Sequence, residues 1–148
     1  MTDITAFPTI RNPVRQLSGT ETFTALAAVK PGQVVTGNAT GVDYQVEKCV
    51  AASLVTRPIG VAIGAAGAGE KVAVALPGSI CELANADDTT GIDAWDDVIT
   101  NDNAVGGTVS AVSYGSTATQ VIVGIALEDI AGGATGRVYI LPQILRTV

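Results

Sequence analysis

The chain has no histidine, few aromatic residues and few charges, and each shortage narrows what it can do. Without histidine the commonest general base is missing, and so is the usual partner of a nucleophilic serine or cysteine. The carboxylate pairs that remain lack the aromatic and polar surroundings of a sugar-cleaving cleft. The expectation is therefore a chain that is not an enzyme and needs no cofactor. Aromatic residues make up 4% of the 148, so a core must come from Val, Ile, Leu and Ala in closely packed sheets. Charged residues are 15%, low for a free soluble monomer, which implies surface covered by partners. Asp and Glu number 14 against 8 Lys and Arg, and the net charge of −6 argues against nucleic acid. No run approaches the ~20 apolar residues of a membrane span, and the N-terminus lacks a basic-then-apolar signal pattern. Cys49 and Cys81 are the only cysteines. Two buried, reduced thiols made in a cytoplasm are expected, with a disulfide left open because sequence does not give their separation.

What the chain does have is a repeated pattern. Residues 57–78 read as an apolar strand, a Gly/Ala turn and a second strand of small apolar residues; residues 121–142 read the same way. Ile59-Gly60-Val61-Ala62-Ile63 matches Val123-Gly124-Ile125-Ala126-Leu127, and Lys71-Val72-Ala73-Val74 matches Arg137-Val138-Tyr139-Ile140. Upstream, Gln33-Val34-Val35-Thr36 and Asp97-Val98-Ile99-Thr100 lie the same 64 positions apart as Gly60 and Gly124. Two matches in one register predict two related β units, ~25–78 and ~89–142, within one β domain at 23–148. No segment keeps a 3.6-residue apolar period, so little helix is expected. The predicted fold is all-β, a compact sandwich or barrel-like body.

Residues 1–22 differ from the rest. Pro8 and Pro13 break any helix and no alternation persists, yet Phe7, Ile10, Val14 and Leu17 are too apolar for a plain solvated tail. Two readings stand side by side: a disordered terminus, or an extended arm that orders against another subunit, with Arg11 and Arg15 meeting acidic surface. Burying two of those apolar side chains gains less than ordering a dozen residues costs. The arm is therefore expected to be mobile in the free protein, and its loss to leave the melting temperature nearly unchanged.

Three motifs bear on chemistry. The Gly64-Ala65-Ala66-Gly67-Ala68-Gly69-Glu70-Lys71 run lacks the Gly-Lys-Ser/Thr ending of a phosphate loop and leads into a strand, so a β-turn is expected. Asp87, Asp88, Asp93, Asp96 and Asp97 carry the oxygen ligands of a hard cation without EF-hand spacing, and clustered acids are usually a solvated loop; no metal site is assigned. Lys48 follows a Gly-x-x-Val-x-x-Gly-like stretch faintly similar to the lipoyl/biotinyl hammerhead, but Cys49-Val50-Ala51-Ala52 continues as strand.

With these residues in view, residues 25–142 resemble the small capsid decoration (cement, or head-stabilising) proteins of tailed double-stranded-DNA viruses. The resemblance is carried by Ile59-Gly60-Val61-Ala62, Gly69-Glu70-Lys71-Val72-Ala73-Val74, Pro77-Gly78-Ser79-Ile80-Cys81-Glu82-Leu83 and Val123-Gly124-Ile125-Ala126-Leu127-Glu128-Asp129 with the following strand. One departure is Trp95-Asp96-Asp97, where that family often opens a strand with Gly-Asp. The resemblance implies a β-rich homotrimer on the capsid exterior, seated over junctions between major capsid protein subunits. An extended arm would help to clamp the shell, here Phe7, Ile10, Arg11, Val14, Arg15 and Leu17. The runner-up is another structural β module, a tail or surface-fibre subunit; a lipoyl/biotinyl-like carrier at Lys48 comes third.

Overall fold

Strands that carry only small apolar side chains reach close packing by curling tightly, so that few residues fill the interior. The computed structural model describes residues 4–37, 41–49, 58–87, 89–101, 105–112 and 120–145. Asp88 of the acidic run and Val50, Ala51 and Ala52 after Lys48 lie outside them. Among the described residues there is no helix. After a short β1 (Val14–Gln16), five strands follow: β2 (Thr20–Ala25), β3 (Val34–Gly37), β4 (Gln45–Lys48), β5 (Pro58–Ala62) and β6 (Lys71–Ala75). They close into a barrel in the order β2-β4-β3-β5-β6, antiparallel except where β2 runs parallel to β4. Five more strands, β7 (Ile80–Ala84), β8 (Asp97–Thr100), β9 (Val109–Ala111), β10 (Gln120–Ala126) and β11 (Thr135–Leu145), form a sheet ordered β7-β11-β10-β8-β9, with β1 added beside β7. A parallel bridge between Asn85 and Val109 joins its two ends where β2 meets β4 in the first barrel. The chain is two barrels of one topology in tandem.

The repeat is real, but its register is split. On the second hairpin of each barrel, Val61 pairs with Ala75 and Ile125 with Tyr139, a spacing of 64. On the first hairpin, Val35 lies opposite Gly60 and Val98 opposite Gly124, so β8 repeats β3 at 63, not 64. Val34 therefore does not superpose on Val98, as the sequence match suggests; Val35 does. The first strand of each barrel repeats at a third spacing, since Thr24 faces Lys71 as Ala84 faces Thr135. The unit boundaries move as a result. Residues 80–84, which lie in neither predicted unit, open the second barrel, because β7 pairs with β11 as β2 pairs with β6.

Gly60 and Gly124 are glycine for one shared reason. A Cβ on Gly60 would land on the carbonyl oxygen of Ala75, and one on Gly124 on that of Tyr139. The strands approach too closely there for any side chain. The barrel interiors are matched sets of apolar side chains. The first holds half-buried Phe23 with Val35, Val46, Ala62, Ala66 and Val74; the second holds Leu83, Val98, Val109, Ala126, Ile130 and Val138 at related places. Volume is traded within the set. Where the first barrel has Ala66 and Val72, the second has Ile130 and Gly136, and a Cβ on Gly136 would strike Ile130. Asn85 stands where the first barrel has Ala25; its amide donates to the Thr90 carbonyl at 2.9 Å and its oxygen accepts from the Asp87 N–H at 3.1 Å.

The second barrel sits on the outer wall of the first. Val34, Val61 and Ala75 point out of the first barrel yet are fully buried, in one cluster with Cys81 and Ile140. Backbone bonds sew the seam: Val34 N–H donates to Gly107 C=O at 3.0 Å and Gly107 N–H to Cys49 C=O at 2.7 Å. Buried Gln33 completes it, donating to Gly106 C=O at 3.0 Å and accepting from Lys30 N–H at 2.8 Å. Cys49 and Cys81 form no disulfide and are both buried in this cluster, and burial pushes the Cys81 thiol from 9.0 up to about 12.

Candidate interaction surfaces

The arm does not lie loose. Ile4 N–H donates to Ala86 C=O at 2.8 Å, and Phe7 and Ile10 are 8% and 3% exposed, packed with Ala84 and half-buried Val105. Ile10 also lies over Gly32, where a Cβ would come within 2.6 Å of its Cδ1. Val14 pairs with Cys81, Glu82 N–H donates to Pro13 C=O at 2.6 Å, and Ser18 N–H donates to Ser79 Oγ at 3.0 Å. Arg15 Nη2 meets Glu82 Oε1 at 2.7 Å. The expected mobile arm is therefore corrected to one seated on its own second barrel, and β2 begins inside the 1–22 segment, at Thr20. The reason is physical: weighing side-chain burial alone omits the hydrogen bonds that an open β7 edge offers to an extended chain. Of the six arm residues singled out, the structure brings Phe7, Ile10 and Val14 inward; Arg11 and Leu17 stay exposed, and Arg15 is half-engaged by Glu82.

The acidic segment is dispersed. Asp87 Oδ1 accepts from Thr89 N–H at 2.9 Å, Thr89 Oγ1 at 3.0 Å and Thr90 N–H at 3.1 Å. These donors, the Thr89 backbone first, hold its carboxyl below the usual range. Asp129 caps Ala94 N–H at 2.8 Å, and Glu82 is taken by Arg15. Among the described residues no three His, Cys, Asp or Glu side chains gather as a metal-binding group. The Gly-rich run is a turn between β5 and β6, where Gly67 N–H donates to Glu70 Oε1 at 2.6 Å and a strand follows. Lys48 lies within β4 opposite Val35, its stem over Gly106, and not at a hairpin tip as a carrier lysine requires.

What sequence reasoning missed is an exposed apolar face on the second barrel. Ile80, Tyr139 and Ile125 line up across β7, β11 and β10, with Asp97 at the end of the row. Leu141 follows Tyr139 on the same side of β11, and Trp95, 74% exposed, stands beyond β10 with its N–H on Ala126 C=O at 2.7 Å. Trp95 also has a left-handed backbone (φ 73°), at the place where the first barrel has Gly32 (φ 87°). The signal was present as the departure from Gly-Asp at 95–97. It could not be placed while the repeat was read at a single spacing.

No protein-family model matches the chain, and no curated protein matches it. Among solved structures there is a clear likeness to the N base of the head fibre gp8.5 of bacteriophage phi29, with a TM-score of 0.57. It spans 83% of this chain and 93% of that one, at 21% identity. The chain shares the fold of that base. At this identity the likeness concerns the architecture alone.

Proposed function

We propose that this chain is a structural protein of a tailed-phage particle, carried on the outside of the head, where it binds the major capsid protein and ties neighbouring shell subunits together as a homotrimer. The observation that carries the reading is the shared fold with a phage head-fibre base over most of both chains. The sequence resemblance to capsid decoration proteins points the same way. Physical fit adds to it: a tile on a pressurised shell must be stiff, and here a closed barrel and a second one, its ends joined at a single bridge, share one buried seam. Three linked copies multiply weak contacts into a firm hold. The arm serves this without a folding step, since it is already seated and offers Arg11 and Leu17 outward; a pre-ordered segment spends less binding energy on ordering.

A second reading is favoured by the same neighbour: the chain is the base by which a surface fibre stands on the head. Co-sedimentation with expanded, undecorated shells tests both. A decoration protein binds and raises the shell's resistance to heating, a fibre base binds and leaves that resistance unchanged, and a protein left in the supernatant refutes both.

A further inference from the structure

In the first barrel, the outer wall formed by Val34, Val61 and Ala75 is covered by the second barrel, whose 105–107 loop lies against Gln33 and Cys49. Carried through the repeat, that wall becomes Asp97, Ile125 and Tyr139 on the second barrel, with Trp95 in the place of Gly32. Among the described residues nothing covers it. The loop that does the covering, ending at Gly107 (φ 70°), corresponds in the first barrel to the loop ending at Tyr44 (φ 53°). There Val42 and Tyr44 stand 53% and 63% exposed, although Tyr44 leans on Phe23 with ring centroids 5.7 Å apart. The chain thus holds one used pair of complementary surfaces and one unused pair.

Two further observations mark the unused pair as built for contact. Of the seven large apolar residues exposed among the described ones, five lie on it: Val42, Tyr44, Trp95, Tyr139 and Leu141. Among the described residues, Trp95 and Tyr44 are also the two non-glycine residues with positive φ, each at a position where the sister barrel has glycine. A bulky aromatic kept in a conformation that favours glycine, and left in water, costs stability; Tyr44 recovers part of that cost on Phe23, and the 74% exposed Trp95 little. Aromatics of this kind are the usual anchors of protein interfaces.

We infer that the Trp95–Tyr139 face of one copy receives the Val42–Tyr44 loop of a second copy, head to tail, repeating between chains the contact that joins the two barrels within one. Such a contact uses different surfaces on the two partners, so it closes into a ring or runs on as a filament. It rests on the self-association proposed above but not on the shell. Charge sets its salt response. Asp43 would approach Asp96 and Asp97, the places of Gly106 and Gln33–Val34 in the internal seam, so salt should strengthen the association by screening.

The test is sedimentation velocity of the full chain without shells, over a concentration series. Wild type should self-associate, more tightly at higher salt. Trp95→Gly and Tyr44→Gly each install the sister barrel's residue and relieve a left-handed position. Both should keep the wild-type melting temperature within a few degrees, yet weaken association by roughly tenfold or more. Mixing the two variants should restore a single contact, giving a one-to-one dimer, because each keeps the surface that the other lost. A wild type that stays monomeric, variants that associate as wild type does, or a mixture that fails to pair while wild type associates would each overturn the inference. Shell binding by a monomeric wild type would still leave the capsid reading standing.

Discussion

Replacing Gly124 with alanine puts one methyl group where β10 and β11 come closest. The new Cβ would fall on the Tyr139 carbonyl oxygen, with the Tyr139 carbonyl carbon at 2.9 Å and Val138 Cγ1 at 3.1 Å. Backbone atoms cannot swing aside as a flexible side-chain tip can, so the strands must part or twist. Overpacking of this kind costs about 1–3 kcal/mol. Losing one or two ladder hydrogen bonds adds about 0.5–1.5 kcal/mol each. A total of about 2–5 kcal/mol, at about 2–4 °C per kcal/mol for a chain of this size, lowers the melting temperature by roughly 5–15 °C. Gly60→Ala meets the Ala75 carbonyl in the same way and should behave alike. Gly37→Ala is the control: nothing lies within 4 Å of its Cβ, so it should be neutral or slightly stabilising. Thermal unfolding followed by circular dichroism reads all three. If Gly124→Ala melts within about 2 °C of wild type, or Gly37→Ala falls as far, the close-approach explanation of the repeat is wrong.

Other outcomes follow from the same structure. Phe7→Ala should lower stability by about 3 kcal/mol in urea titrations, because Phe7 is buried against Ala84; a change under ~0.5 kcal/mol would mean the arm is not seated. Asp87 has its carboxyl depressed by the Thr89 and Thr90 donors, so its contribution is present above about pH 4 and fades as pH falls through the lower folded value. Asp87→Asn should flatten that part of the acid-unfolding profile, and an unaltered profile would remove Asp87 from the explanation. Cys81 has the opposite sign: with its thiol raised from 9.0 to about 12, stability should drop as pH climbs from 9 towards 12, and a thiol reagent near neutral pH should label neither cysteine until the chain unfolds. Rapid labelling of native protein would contradict the burial of the seam.

The sequence carried some of this plainly and hid the rest for identifiable reasons. Gly60 and Gly124 were legible because two strands that nearly touch admit no other residue, and that constraint marks both copies alike. The split register was not legible. Val34 and Val35 are both buried, one outward against the second barrel and one inward, so the first strand shows no alternation to fix which valine matches Val98. β2 was missed because its first three residues, Thr20, Glu21 and Thr22, are polar and exposed, and only Phe23 and Ala25 pack inward. The arm's seat was hidden for a different reason. Ala84, Val105 and the edge of β7 are far away in sequence, and only the fold brings them beneath Phe7 and Ile10. Arg11 and Leu17 remain candidate contacts, while Trp95 and Tyr139 needed the second barrel's outer wall to be drawn before they meant anything.

The central claim, a protein of the phage-head exterior, is tested most directly by sedimenting the purified chain with expanded, undecorated shells and measuring how much is carried down. The account predicts saturable binding at a fixed ratio to major capsid protein, weakened when Arg11 and Leu17 on the outward side of the arm are replaced together by Glu and Ser. No binding to any such shell, at protein concentrations where the chain is folded, would contradict it.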